Sequence, residues 1–406
     1  MHTASSTYFF VWSVDCIRRW RIEAHNTGFY SRVRCGCYTY YVFSVLQTIG
    51  LTLITALIGA GNFVAETATA YLPVLTPSVF SIERDGSAGA ALPTLPSRFS
   101  TLEQIPQILI DNAAYQQASL AQSQQDISAT SSNPLKALVN IYCSYTTNES
   151  IRYTTGSGFI ATPTGVIITN AHVAQFLLLE NVNETGETSC TVRSGNPATA
   201  TYEVELLYIS PAWIQAHADL IDDEAPRGTG ERDYALLYIT KGIGNDPVPG
   251  TLPFINVDTA LRTIQSVGDE VTIGGYPALT AGALEQDGRL ERQTATTTLF
   301  DLYTFDTNYG DIYFLGGSEL GAGGISGGPV IDEAGNVIAL IVTRGNDEQQ
   351  GAGSLNAITL SYIDRTIQEE TGFSLAQTMS GNLTYRSFVF TQTLVPFLAR
   401  MLELEL

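Results

Sequence analysis

Gly323-Gly-Ile-Ser-Gly-Gly-Pro-Val330 sets a single serine, Ser326, among four glycines just ahead of an apolar run. Glycine on both sides lets the backbone adopt conformations that a Cβ would forbid, and lets a substrate carbonyl approach the main-chain N–H groups. Ser326 is therefore the candidate nucleophile. A serine hydroxyl is weakly nucleophilic until a base stands beside it and a third group orients that base. The rest of the chain must supply both.

With 406 residues and 44% hydrophobic composition, the chain can bury one large or two ordinary cores. A formal net charge of -20, with Lys136 and Lys241 as the only lysines, argues against nucleic acid as a partner. The arginines are uneven: Arg18, Arg19, Arg21, Arg32 and Arg34 precede a stretch from Cys35 to Ala65 without any charge. Within it, Tyr41 to Phe63 is long enough as a helix to cross a bilayer core of about 30 Å. The basic flank places the N-terminus inside and the bulk of the chain outside. Residues 1–37 thus read as a basic cytoplasmic segment and 38–64 as an uncleaved signal anchor, with cleavage near Ala70 as the alternative. Cys143 and Cys190 are the only cysteines on the outer side, where thiols oxidise, which predicts a disulfide between them.

Residues 65–134 read as a linker rich in Pro, Ser, Thr and Ala, with a short polar helix predicted between Leu102 and Gln125. From Leu135 the pattern changes to short apolar or alternating runs separated by turn residues, the signature of an all-β sandwich or barrel. Candidate strands are Leu138–Tyr145, Gly158–Ala161, Val166–Asn170, Glu203–Ser210, Tyr234–Ile239, Val271–Gly275, Gln293–Leu299, Ile312–Leu315 and Val337–Thr343. Short helices are expected at Val173–Leu179 and Ala212–Leu220, and a longer one at Tyr362–Glu370. Residues 376–406 read as a packing helix or docking tail, too interrupted by charge to span a membrane.

Four histidines occur, and only His172 and His217 lie on the expected outer side. His172 follows the apolar run Gly165-Val-Ile-Ile-Thr-Asn-Ala-His-Val173, where a strand end can hold an imidazole at a cleft. His217 sits in the polar Gln215-Ala-His-Ala-Asp219 and reads as a surface residue. For the orienting carboxylate, Glu231-Arg-Asp-Tyr-Ala-Leu-Leu-Tyr-Ile239 puts Asp233 just before a buried strand, where it can take a hydrogen bond from a histidine Nδ1–H away from water.

Thr169-Asn-Ala-His172, Asp233-Tyr-Ala-Leu236 and Gly324-Ile-Ser-Gly-Gly-Pro329, with Gly156-Ser-Gly-Phe-Ile160 ahead of the histidine, resemble the motifs of trypsin-like serine peptidases, nearest the Deg/HtrA-type bacterial branch. The resemblance covers about Leu135 to Gly372, and the separations of 61 and 93 residues suit two β-barrels. It implies a mainly β fold of two six-stranded antiparallel barrels, about 135–250 and 251–375. It also implies a serine endopeptidase acting on polypeptides through His172, Asp233 and Ser326, with the N–H groups of Gly324 and Ser326 as oxyanion hole and no cofactor or metal. Leu320, Leu340 and Val342 are implied as substrate contacts, giving an apolar preference before the cut bond. The alternatives are a catalytically silent relative of the same fold and a serine esterase.

The departures are informative too. Ile325 stands where secreted digestive members carry an aspartate that pairs with a freed N-terminus, so activation by cleavage is not expected. Too few residues follow Thr343 for the peptide-binding PDZ module that many Deg/HtrA members carry.

Overall fold

Alternating inward apolar residues bend two sets of strands into two closed antiparallel barrels. The computed structural model describes residues 105–120, 134–146, 151–180, 186–221, 229–278, 289–305 and 309–403, all within the compact unit Pro93–Leu406. The expected anchor at 38–64 and the basic segment before it lie outside the described residues. Among the described residues, no helix is long and apolar enough to cross a membrane.

The first barrel consists of β1 (Leu138–Thr146), β2 (Ile151–Ile160), β3 (Val166–Thr169), β4 (Glu187–Gly195), β5 (Ala198–Ile209) and β6 (Ala235–Gly242), closed in the order β1-β2-β3-β6-β5-β4. The second consists of β7 (Glu270–Gly275), β8 (Gln293–Tyr303), β9 (Ile312–Leu315), β10 (Pro329–Ile331), β11 (Val337–Arg344) and β12 (Leu355–Thr359), closed as β10-β11-β12-β9-β8-β7. Closure pairs every strand on both sides and leaves no edge to template aggregation. All four residues of β3 are buried, and each of its three aliphatic side chains, Val166, Ile167 and Ile168, contributes roughly 1.5–3 kcal/mol.

Nine strands were expected, and twelve form among the described residues. β4, Glu-Thr-Ser-Cys-Thr-Val-Arg-Ser-Gly, does alternate, but its inward side chains include Thr188 and Cys190, which carry little hydropathy signal. β10 has only three residues. β12 runs without a break into a helix, α6 (Leu360–Thr371), which hides its end.

The helices before α6 are short: α1 (Ile105–Asp111), α2 (Ala113–Leu120), α3 (Ala171–Ala174), α4 (Pro211–His217) and α5 (Asp347–Gln350). The single helix expected between Leu102 and Gln125 is broken at Asn112, whose Oδ1 accepts from the N–H groups of Ala114 and Tyr115 at 3.0 Å each and so starts α2 afresh. This part of the expected linker is docked. Leu109 and Tyr115 are fully buried, and Gln116 Nε2 donates to the Thr371 carbonyl at 3.2 Å.

Helix α6 starts at Thr359, whose hydroxyl accepts from the Tyr362 N–H, and ends at Gly372 in a left-handed conformation with φ 80°. It joins the two barrels. Arg365 pairs with buried Asp311 of the second, while Glu370 is held by Arg232, Tyr208 and Ser210 of the first. Beyond it come α7 (Leu375–Thr378), packed on α6, α8 (Leu383–Thr393), packed on β5 and β6 of the first barrel, and α9 (Val395–Glu403), packed on α8 and α4. Ser387 of α8 donates to Glu205 Oε2 and the Leu206 carbonyl, each at 2.9 Å. Residues 376–403 are therefore packing helices rather than a free tail.

Candidate active site

β3 delivers His172. The strand stops at Asn170, and the chain turns at once into α3, which begins with Ala171 and His172. The turn lies flat on β2 because Gly156 has no side chain: a Cβ there would come within 2.4 Å of Val173 Cγ2.

β6 delivers Asp233. Ala235 pairs with Thr169 across the sheet, which brings Asp233 alongside the β3 end. Asp233 Oδ2 lies 2.7 Å from His172 Nδ1, and Oδ1 accepts the backbone N–H of His172 at 3.0 Å. Asn170 Nδ2 donates to the Asp233 carbonyl at 2.9 Å. The Asp233 side chain is 6% exposed and the imidazole 19%, so the carboxylate is shielded while the ring keeps an open side.

The turn before Asp233 is unusual in conformation and firmly held. Arg232 has φ 56°, a region costly for a residue with a Cβ. Arg232 Nη1 meets Glu370 Oε1 at 2.6 Å, and the Tyr234 hydroxyl meets Thr366 Oγ1 at 2.8 Å, so α6 grips both neighbours of Asp233. Burial pushes the Glu370 carboxyl up from its ordinary value, and Arg232 opposes that rise. A carboxylate this deep is tolerable because it is paired and hydrogen-bonded.

Ser326 sits between Gly324 at φ 86° and Gly327 at φ 85°. A Cβ on Gly327 would come 2.0 Å from the Ser157 carbonyl oxygen, so only glycine permits this approach to β2. The Ser157 N–H donates to the Ser326 carbonyl at 2.7 Å, and Thr169 Oγ1 donates to the Ser157 carbonyl at 2.8 Å. Thus one residue of β2 ties the serine backbone to Thr169, three positions before His172.

No hydrogen bond among the described residues takes the N–H of Gly324 or Ser326. Ile325 is 2% exposed and packs in the second barrel's core, which leaves no polar group at that position to meet a chain terminus.

The expected substrate contacts need correction. Leu340 has no accessible surface, and Leu320 and Val342 are each 2% exposed. Leu340 and Val342 sit in the larger core and Leu320 in the smaller one. Alternation on a barrel strand explains this: Ala339 and Ile341 fill the second barrel's core, so Leu340 and Val342 face the other way into the larger core, where Val342 lies against the turn at Gly230. Accessible surface on β11 belongs instead to Thr343 and Arg344.

The Arg232–Glu370 pair carries no motif-level signal in the sequence, and Ser157 and Asn170 were quoted only as parts of motifs, with no role of their own. Ser157 and Asn170 lie inside stretches whose glycines and histidine attract attention first. His217 has other partners. Its ring stacks on Trp213 at 5.1 Å, and Nδ1 meets the Trp213 carbonyl at 3.1 Å. Cys143 and Cys190 stand opposite each other on β1 and β4 and form the expected disulfide. Among the described residues no group of three or more His, Cys, Asp or Glu could hold a metal ion.

Two closed six-stranded antiparallel barrels, with a histidine–carboxylate pair on the first and a glycine-flanked serine on the second, fit a chymotrypsin fold. Residues 156–340 match the family model described as the trypsin-like peptidase domain, from within β2 to the middle of β11. The match supports a serine-protease type of function, and a protease domain implies polypeptide substrates. No curated protein matches the chain.

Proposed function

We propose that the chain is a serine endopeptidase that cuts exported or envelope proteins through His172, Asp233 and Ser326. The observation that carries this reading is the 2.7 Å approach of Asp233 Oδ2 to His172 Nδ1, with Asp233 shielded and the backbone N–H of His172 on its other oxygen. A carboxylate in that place holds the proton on Nδ1 and leaves Nε2 free as a base.

In the reaction, Ser326 Oγ attacks the peptide carbonyl carbon as His172 Nε2 takes its proton. The carbonyl oxygen becomes an oxyanion held by the N–H groups of Gly324 and Ser326. Imidazolium then gives its proton to the leaving amine, and the acyl-enzyme remains. Water, deprotonated by the same imidazole, releases the acid and restores Ser326. Each oxyanion donor contributes about 2.7–4 kcal/mol in such reactions. The chemistry needs no cofactor.

The site belongs with the Deg/HtrA-type branch in this reading. Residues 38–64 anchor the chain in a membrane, with the N-terminus cytoplasmic and the barrels outside. The disulfide between Cys143 and Cys190 supports the outward placement, because such bonds persist in oxidising compartments. An esterase of the α/β class is disfavoured, since it requires a strand–turn–helix at the serine, and here a strand follows it.

The test is hydrolysis of an unfolded protein such as reduced casein by the purified chain and by Ser326→Ala, with products mapped by mass spectrometry. Internal cleavage lost in the variant supports the reading. Equal cleavage by both, or none by either while peptides still bind, overturns it in favour of a silent binding module.

A further inference from the structure

All four carbonyls from Gly323 to Ser326 are tied back. The Gly323 carbonyl accepts from the Ala278 N–H at 2.7 Å, Gly324 from Ser157 Oγ at 2.7 Å, Ile325 from the Gly328 N–H at 2.9 Å and Ser326 from the Ser157 N–H at 2.7 Å. A trans peptide points its N–H opposite to its carbonyl. Each tie therefore sets the direction of the N–H that follows it, the Gly323 carbonyl that of Gly324, the Gly324 carbonyl that of Ile325 and the Ile325 carbonyl that of Ser326, the run of N–H groups from which an anion-binding nest is made.

Ser157 supplies two of those four bonds, and it does so from the first barrel. Its side chain is fully buried, and its hydroxyl also accepts the Tyr276 N–H at 2.8 Å. The hydroxyl thus relays between the chain following β7 and the oxyanion turn. Tyr276 in turn donates its own hydroxyl to the Gly195 carbonyl at 2.7 Å, so the chain after β7 is itself held to the first barrel. The Gly324 carbonyl has the greatest need of such a partner, because glycine at φ 86° can swing its next peptide at little steric cost.

We propose that Ser157 is a positioning residue for the oxyanion hole. Through its hydroxyl it fixes the Gly324–Ile325 peptide, and through its own N–H it holds the Ser326 carbonyl; together the two ties keep in place the turn that carries the Gly324 and Ser326 N–H groups. It touches neither substrate nor the transferred proton. Its effect falls on the transition state, where the oxyanion forms, and not on ground-state binding. The inference rests on Ser326 being the nucleophile.

The experiment compares wild type with Ser157→Ala using a peptide substrate chosen from the casein products. Three readouts are taken: kcat and KM, the inhibition constant of a peptide boronate that mimics the tetrahedral state, and the pH dependence of acylation. Replacing the hydroxyl by hydrogen is expected to lower kcat about 10-fold to 100-fold, less than deletion of a donor itself. KM and the acylation pH profile should hold, and the boronate should weaken by the same factor as kcat. Equal kcat overturns the proposal. So does a fall accompanied by a raised KM and a shifted pH profile, which would mark general loosening. Should Ser157→Ala fail to fold, Ser157→Cys carries the test, since a thiol fills the place with a weaker donor. Its kcat must fall with KM unchanged, and a kcat equal to wild type overturns the idea. A wild type that cuts no peptide and takes no boronate defeats the peptidase reading itself, a result distinct from either.

Discussion

Asp233→Asn separates the roles of the two carboxylate oxygens. Oδ1 accepts the His172 backbone N–H at 3.0 Å and Oδ2 faces Nδ1 at 2.7 Å. An asparagine has one oxygen for these two places. If the oxygen keeps the backbone N–H, the amide NH₂ faces Nδ1 and donates to it, which forces the ring proton onto Nε2. Nε2 then has no lone pair for the Ser326 proton. The reverse placement sets NH₂ against a backbone N–H and leaves two donors face to face in a site only 6% exposed, so the first arrangement prevails. Loss of the correct tautomer in a triad of this kind costs about 10⁴-fold in kcat. The fold should survive, because the side chain keeps its size and the Asn170 bond goes to the main chain. The assay is single-turnover acylation with an activated peptide ester, beside far-UV circular dichroism to check folding. A folded variant slowed less than about 10-fold would refute the tautomer argument.

Three further outcomes follow from the same geometry. Gly156→Ala should push on Val173 Cγ2 from 2.4 Å, displacing the His172 turn; the expected cost is about 1–3 kcal/mol, seen by urea unfolding, with Gly156→Ala/Val173→Ala restoring both stability and acylation. Burial raises the Glu180 carboxyl to about 7, against the opposing N–H of Cys190. The folded chain thus holds this proton more tightly than the unfolded one, and stability falls as pH rises from about 4.5 to about 7. Glu180→Gln, which keeps the acceptor for Cys190, should gain up to about 3 kcal/mol over wild type at pH 8 and little at pH 4; an equal gain at both would contradict this. The disulfide closes a loop with a sequence separation of 47, so the Cys143→Ser/Cys190→Ser variant should lose about 4 kcal/mol by chain entropy. An unchanged urea midpoint would count against it.

How much could be read before the fold was known depended on whether the physics was local. His172, Asp233 and Ser326 each stand beside a strand whose apolar run announces its end, so their neighbourhoods were legible one at a time. The oxidised pair followed from where the cysteines fall relative to the charged N-terminal segment. Ser157 was not legible as a hub, because its partners Gly324 and Tyr276 lie 167 and 119 residues away and only barrel closure brings them together. β4 escaped for a similar reason: Thr188 and Cys190 lie opposite Tyr145 and Cys143 of β1, more than 40 residues away in sequence, and only that pairing turns them inward. Leu340 and Val342 were misplaced because a buried strand reads as uniformly apolar, and which face meets substrate is set by the register against β10 and β12. The helices at 105–120 looked like linker since their few apolar residues, Leu109 and Tyr115 among them, gain meaning only against α6 and α8.

The most direct measurement of the central claim is covalent labelling of the purified chain with a fluorophosphonate, followed by mass spectrometry of its peptides. One adduct is expected, on Ser326, absent in Ser326→Ala and slowed about 10⁴-fold in Asp233→Asn. An adduct on another residue, or labelling that persists in Ser326→Ala, would contradict it.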